Sequence, residues 1–333
     1  MIKKNFSLQY YNTFGLNVKA DFFYEFNDVS DLISLDYDFK NGKFFILGGG
    51  SNLLFTRDFN GLVIKSINDK INIVSEDNNF IYLKVGAGFV WDNFVEYCVN
   101  NNYGGVENLS LIPGTVGASA VQNIGAYGVE AKDIISKVYV YDLENNRAEV
   151  LSNKDCLFDY RYSVFKKSKN NRLLITDIEY KLTKNNHKYN INYGAVKDKL
   201  LNKKINLTNI RDVIINIRES KLPDVNRLGN AGSFFKNPIV DKKKFLELLQ
   251  KFPSLVYYKL SNERYKLAAG WLIEQAGFKG FSLGRAGVYS KQSLVLINKG
   301  GAEPNEIIKL SDKIIETIFK KFSIKIEPEV IFV

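Results

Sequence analysis

Apolar and polar positions along this chain fall into short registers, some of period two and some of helical spacing, with no period running through the whole. Residues 43–47, Lys-Phe-Phe-Ile-Leu, are a brief apolar run ending in Gly48-Gly-Gly-Ser-Asn52, the pattern of a buried strand closed by a glycine turn. An aromatic segment at 22–26 and a helical stretch at 28–35 precede it, so residues 18–64 read as a small β-α-β unit. Two β-like runs, 71–75 and 80–85, flank the turn-rich Glu76-Asp-Asn-Asn79, and 90–100 has helical spacing. Strands are predicted at 138–143, 148–151 and 173–181, completing a second unit. Between them, from Gly104 to Gly128, glycine becomes frequent without the Ser/Pro monotony of a linker, which points to backbone shaped around something. After a helix at 205–218 and the Leu222-Pro-Asp224 turn, a third region alternates between helix and strand: 243–250, 267–276, 293–298 and 306–322. Residues 324–333 read as a final strand with one proline break. No repeat of fixed period is visible.

The chain has 333 residues, enough for two or three domains at roughly 100–200 residues each. With 45% hydrophobic and 25% charged residues it has average globular composition, which excludes wholesale disorder and fibrous repeats. No apolar run approaches the ~18 residues of a membrane span, and the N-terminus lacks the apolar stretch of a secretory signal, so a cytoplasmic protein without membrane insertion is expected. Cys98 and Cys156 have neither CxxC spacing nor histidine company. They read as buried small hydrophobes, and no metal is expected. The single histidine, His187, sits in a polar stretch and reads as a solvated loop residue, which argues against Ser-His-Asp chemistry. A formal charge of +10 invites an anionic partner, but the lysines are scattered, so anionic small molecules are favoured over nucleic acid.

Five motifs could carry chemistry. Gly48-Gly-Gly-Ser-Asn52 leaves a strand but lacks the third spaced glycine and the helix of a dinucleotide fingerprint; it is either an ordinary turn or a turn that offers N–H groups to phosphate. Ile112-Pro-Gly-Thr-Val-Gly-Ala118, followed by Gln122-Asn-Ile-Gly-Ala-Tyr-Gly128, provides a second anion-friendly helix start or nest. Two such sites in one chain suit a pyrophosphate. Arg161, in Phe158-Asp-Tyr-Arg-Tyr-Ser-Val-Phe165, is a surface arginine or a buried anion receptor, and spacing alone favours the surface. Ser233, in Gly229-Asn-Ala-Gly-Ser-Phe-Phe-Lys-Asn-Pro238, lies either in a glycine-rich turn or at a site where, with no histidine to activate it, it donates a proton instead of attacking. Glu327 and Glu329 flank Pro328, where edge-strand solubility is the plain explanation.

Taken together, these residues resemble the UDP-N-acetylenolpyruvoylglucosamine reductase family, in its longer, type I subgroup. The likeness runs in order from Asn12-Thr-Phe-Gly-Leu16 through Leu47 to Leu54, Leu111 to Ala118, Gln122 to Gly128, Tyr160-Arg161, Gly229 to Pro238, Lys266-Leu-Ala-Ala-Gly-Trp-Leu-Ile273 and Glu327-Pro-Glu-Val330. It implies an α+β architecture: a two-subdomain FAD-binding fold of the vanillyl-alcohol-oxidase type, at 1–66 and 67–215, then a smaller α/β substrate-binding domain at 216–322, with strand 324–333 returning near the first subdomain. It also implies an NADPH-dependent, FAD-mediated reduction of UDP-N-acetylglucosamine enolpyruvate to UDP-N-acetylmuramate in peptidoglycan precursor synthesis, by a monomer.

By the same resemblance, Gly48, Gly49, Gly50, Ser51 and Asn52, with Pro113, Gly114, Thr115, Gly117 and Ala118, hold the FAD pyrophosphate, while Asn123, Gly125, Tyr127 and Gly128 pass near the flavin. Arg161 and Glu329 stabilise the charge that develops on the substrate, and Ser233 is the proton donor. Arg218, Lys221, Asn237 and Gln292 surround the UDP-sugar, with Tyr127 in the same pocket. Tyr193, in Asn190-Ile-Asn-Tyr-Gly194, resembles the tyrosine of a loop that closes over substrate. The lysines at 197, 199, 203 and 204 have no place in this scheme and read as solvated surface.

Overall fold

The computed structural model describes residues 1–167, 171–193, 195–260 and 263–333. The chain forms two compact units. One comprises Met1–Phe6, Ala20–Gly49 and Phe59–Arg218, and the other Ser7–Lys19, Gly50–Asp58 and Glu219–Val333.

The first unit contains two sheets. In one, the strands order as Lys3–Ser7, Lys19–Phe26, Phe59–Ser66 and Phe44–Leu47, the last three mutually parallel. The crossover helix Val29–Ile33 starts at Asp28, whose side chain accepts from Ser30 N–H while Asp31 reaches back to the N-cap, a capping box that seats a helix too short to stand on propensity. The second sheet is antiparallel, ordered Arg147–Ser152, Ile135–Asp142, Leu173–Thr183, Phe80–Gly86 and Ile71–Glu76. Its buried face carries Ile81, Leu83, Val85, Val138, Val140 and Ile178, against which Trp91–Asn100 packs Trp91, Phe94, Val95 and Cys98. The polar atoms of this core are satisfied: Trp91 Nε1 donates to Leu109 O at 2.9 Å, and the Tyr180 hydroxyl lies 2.9 Å from Ser119 Oγ. Cys98 and Cys156 are fully buried and unbonded, as expected of small hydrophobes.

In the second unit Gly229–Ser233, Val295–Asn298, Ala286–Val288 and Ser282–Leu283 form one sheet, and Ile239–Asp241, Arg264–Leu267 and Tyr257–Lys259 another. Helices do alternate with these strands, but every pairing is antiparallel, some through adjacent strands such as Tyr257–Lys259 with Arg264–Leu267 and some between strands separated by helices, such as Gly229–Ser233 with Val295–Asn298. The segment 7–19 is stitched on by Thr13 Oγ1 donating to Asn230 O at 2.6 Å and Asn298 Nδ2 to Phe14 O at 2.8 Å.

Two sequence readings need correction. Residues 324–333 are not one strand: only Ile331–Phe332 joins a ladder, parallel to Leu53–Leu54. Ile324 and Ile326 alternate buried with exposed Lys325 and Glu327, which mimics a half-buried strand, but Pro328 has no N–H to extend the pairing. His187 is not a solvated loop residue. It is half-buried, its Nδ1 lies 2.7 Å from Thr183 Oγ1, and burial lowers its pKa, so the ring is neutral at pH 7. Lys197, Lys199, Lys203 and Lys204 are exposed, as the sequence suggests.

Asp142, 1% exposed, anchors the turn after Ile135–Asp142 by accepting from the Glu144 and Asn145 N–H groups, from Asn145 Nδ2 and from Arg172 Nε at 2.8 Å. Burial by itself would raise its pKa, but Asn145 and Arg172 outweigh it and hold the carboxyl below its ordinary value. A depressed carboxyl contributes stability above its unfolded value, about 4, and that stability is lost as pH falls through the lower folded value. Asp142→Asn should therefore lose about 2 kcal/mol at pH 7 and show a flatter decline in melting temperature below pH 4 than the parent protein, measured by thermal denaturation across pH.

Candidate active site

In the first unit the two glycine turns meet backbone to backbone. Strand Phe44–Leu47 runs into Gly48 and Gly49, and a Cβ on Gly49 would lie 2.6 Å from Gly114 Cα; one on Gly48 would lie 3.0 Å from Ala118 Cβ and 3.2 Å from Thr115 Oγ1. Gly114 has φ +127, a conformation a side chain rarely permits. Thr115 caps the helix Val116–Val121 by accepting from Ala118 N–H. The N–H groups at this helix start are not open to an anion, however: Val116 donates to Phe89 O and Gly117 to Ala87 O, both at 2.9 Å. The expectation of an anion-friendly helix terminus is corrected accordingly; what the turn offers is glycine-lined main chain before the helix begins. A cradle with no side chains in it is what a pyrophosphate requires, so the residues present fit FAD.

Asn123, expected near a flavin, is fully buried and its amide is engaged inside the protein: Oδ1 accepts from Lys132 N–H at 3.0 Å, and Nδ2 donates to Asp159 O at 3.0 Å and to Glu130 Oε2 at 3.2 Å. It shapes the 123–128 turn.

Arg161 is half-buried, not the surface arginine that spacing alone favours. It occupies a tight turn at φ +53, closed by the paired bonds between Asp159 and Tyr162 at 3.0 Å, and its Nη2 donates to Gly125 O at 2.9 Å. Gly125 and Arg161, well separated in the chain, are thereby brought together. Tyr127, at φ +49, packs edge-on against Tyr193 with ring centroids 6.5 Å apart. Burial raises the Tyr127 pKa, partly opposed by Arg218, to which it is hydrogen-bonded. Burial likewise lowers the Arg218 pKa. Asn108 is the residue that sequence reasoning missed here: fully buried, its Nδ2 donates to Tyr127 O at 2.9 Å and to Asn190 O at 2.7 Å, clipping the segment that carries Tyr193 to the 125–128 turn. An asparagine in a glycine-rich stretch gives no signal of this. Gly194, the end of the Tyr193 motif, lies outside the described residues.

In the second unit, Ser233 ends the strand Gly229–Ser233 and is exposed. Glu329 is half-buried, and its N–H donates to Phe234 O at 2.7 Å, flanked by the Phe235–Pro328 bridge and by Lys236 N–H to Glu327 O at 2.9 Å. The candidate proton donor and carboxylate, far apart in sequence, therefore lie on paired backbone. Asn52 Nδ2 donates to Glu329 O at 3.4 Å, tying the glycine turn to the same strand end. Asn237 and Gln292 meet at the start of helix Ala269–Gln275: Asn237 Oδ1 accepts from Ala269 N–H at 2.9 Å, and Gln292 Oε1 lies 3.2 Å from where a Gly270 Cβ would be. Lys221, the last residue of Leu207–Lys221, is exposed.

Comparison with known proteins agrees with this geometry. Residues 27–148 match an FAD binding domain, and residues 223–333 match the C-terminal domain of UDP-N-acetylenolpyruvoylglucosamine reductase. A UDP-N-acetylenolpyruvoylglucosamine reductase of Flavobacterium johnsoniae is 46% identical over 332 residues, covering 99% of this chain and 98% of its own; one of Bacteroides fragilis is 44% identical over 334 residues, with both chains fully covered. The crystal structure of the Thermus caldophilus reductase superposes with a TM-score of 0.69 at 19% identity, covering 100% of this chain and 98% of that one, a likeness of fold.

Gly49→Ala tests the backbone contact. Overpacking of this kind costs about 1–3 kcal/mol, so at the loop contact it should weaken flavin retention about tenfold or more, read from visible flavin absorbance per mole of purified protein.

Proposed function

Because the chain belongs to the UDP-N-acetylenolpyruvoylglucosamine reductase family, we propose that it reduces the enolpyruvyl ether of UDP-N-acetylglucosamine enolpyruvate to the lactyl ether of UDP-N-acetylmuramate, an FAD-dependent and NADPH-dependent step of peptidoglycan precursor synthesis. The observation that carries this reading is the backbone pairing of Glu329 with Phe234, which brings the chain bearing the candidate carboxylate alongside the residue that follows Ser233, a serine with no histidine to make it a nucleophile.

FAD, when bound, supplies hydride. Addition of hydride at the vinyl CH2 carbon leaves negative charge on the adjacent carbon, delocalised into the substrate carboxylate. Stabilising that charge is the task of Arg161, whose guanidinium is held by the Gly125 carbonyl and so needs no reorganisation as charge develops. Glu329 meets the enol-like carboxylate on the other side. Ser233 then donates its hydroxyl proton to the carbon; a serine is a weak acid, but a carbanion-like centre is basic enough to accept from it. Arg218 and Lys221 meet the diphosphate, Asn237 and Gln292 the remainder of the UDP-sugar, and Tyr193 closes over the bound substrate to exclude water.

The first unit would hold the cofactor, with Gly48 to Asn52 and Pro113 to Ala118 along the pyrophosphate; its two sheets correspond to subdomains at 1–66 and 67–215, and residues 216–322 to a substrate-binding domain. Among the described residues no helix is long and apolar enough to cross a membrane. We place the enzyme in the cytoplasm as a monomer, where NADPH is at hand.

An anaerobic absorbance experiment tests the reading. NADPH should bleach the flavin of the purified protein, and UDP-N-acetylglucosamine enolpyruvate should restore the oxidised spectrum; bleaching without recovery overturns the substrate assignment. In Ser233→Ala the first half should persist while the second slows about 10²–10⁴-fold, the usual contribution of a positioned acid. Survival of both halves removes Ser233 from the chemistry.

A further inference from the structure

Leu111 adopts φ +57, a left-handed conformation that a bulky side chain makes costly, immediately before the Ile112-Pro-Gly turn. Both of its peptide groups are held by charged side chains. Its N–H donates to Asp92 Oδ1 at 2.5 Å, and its carbonyl accepts from Arg218 Nε at 3.2 Å. Asp92, near the start of Trp91–Asn100, is in turn gripped by a two-pronged fork from Arg211, Nη1 to Oδ1 at 2.7 Å and Nη2 to Oδ2 at 3.0 Å. Arg211 is 8% exposed, and it lies two turns before Arg218 on the helix Leu207–Lys221.

The two arginines differ in company. Arg211 is neutralised by Asp92, whereas Arg218 makes no ion pair among the described residues; its guanidinium is held by the Leu111 carbonyl and the Tyr127 hydroxyl. Burial alone would push the Asp92 carboxyl up, but Arg211, the Leu111 N–H and Arg218 together hold it below its ordinary value, so it is ionised at neutral pH. A guanidinium that is enclosed but unpaired accepts an anion well only if its orientation is set beforehand.

We propose that Asp92, locked by Arg211, is a positioning residue that keeps Leu111 in its left-handed conformation, and that Leu111 through its carbonyl orients the Arg218 guanidinium for the substrate diphosphate. This rests on the reading of Arg218 as a substrate-binding group. Asp92 touches neither substrate nor cofactor; it acts through one strained peptide.

Asp92→Asn keeps the shape and removes the charge. It should raise KM for UDP-N-acetylglucosamine enolpyruvate about tenfold with kcat within about twofold, the factor set by releasing one left-handed, non-glycine residue. Calorimetric binding of UDP-N-acetylmuramate should weaken by the same factor, independently of turnover. Adding Leu111→Gly to D92N should recover most of the loss, because glycine holds a positive φ without strain; a general loss of stability would not be recovered. Should D92N fail to fold, Arg211→Lys, which keeps a cation but loses the fork, should give the same rise in KM. Unchanged KM and binding in these variants, or a loss that Leu111→Gly does not reverse, overturns the assignment alone. Wild-type protein that binds no UDP-N-acetylmuramate overturns the functional reading, and this assignment with it.

Discussion

The contact between Gly49 and Gly114 is the constraint on which the arrangement of the first unit depends. Strand Phe44–Leu47 belongs to the parallel sheet, whereas Gly114 precedes the helix that packs on the antiparallel one, so two sheets that also share an apolar cluster of Tyr24, Phe26, Leu62 and Ile64 with Tyr141 and Leu174 meet here backbone to backbone. The same joint repeats at Gly48 against Ala118, while Gly117 against Ala87, which follows strand Phe80–Gly86, seats the helix equally closely on its own sheet. Each position tolerates no Cβ without displacement of backbone or of a short side chain, and in a close-packed interior such displacement propagates. The surface left on this seam is main chain, which suits it to a phosphate-bearing cofactor.

A second theme is the use of asparagine as an internal clip. Asn12, Asn108, Asn123, Asn230 and Asn298 are all buried. Asn12 closes its own loop by donating to Leu8 O and Leu16 O and accepting from Leu16 N–H, and Asn230 takes the Gly232 N–H at 2.9 Å where strand Gly229–Ser233 loses register before Ser233. An amide offers two donors and one acceptor group in a short rigid side chain, so it can satisfy several orphan backbone groups at once where the chain is irregular. Two of them, Asn123 bonded to Asp159 and Asn230 bonded to Gly232, serve the segments carrying Arg161 and Ser233, and give them the definition that a regular ladder gives a strand.

Charge is handled in the same local manner. Asp142 and Asp92 each gather an arginine and backbone N–H groups, and both remain ionised despite burial. Arg218 is instead held by a carbonyl oxygen and a hydroxyl that fix its direction, with no ion pair to it among the described residues. The difference separates a buried charge that is paired inside the fold from one whose direction is set by neutral groups.

Much of this was legible in the chain itself. Strand 43–47 with its glycine turn, helix 90–100 and the strands between 135 and 183 follow from periodicity, because local apolar spacing dictates which face is buried. The family likeness nominated Arg161, Ser233 and Glu329 as the catalytic candidates. What periodicity could not resolve was anything decided by partners distant in sequence: that residues 324–327 alternate without a ladder, that His187 is fastened to Thr183, that the N–H groups starting helix Val116–Val121 are already engaged by Phe89 and Ala87, or that Asn108 joins Tyr127 to Asn190. Hydrophobic period is a property of neighbours along the chain. Hydrogen-bond satisfaction is a property of neighbours in space, and only the tertiary fold determines which donor finds which acceptor.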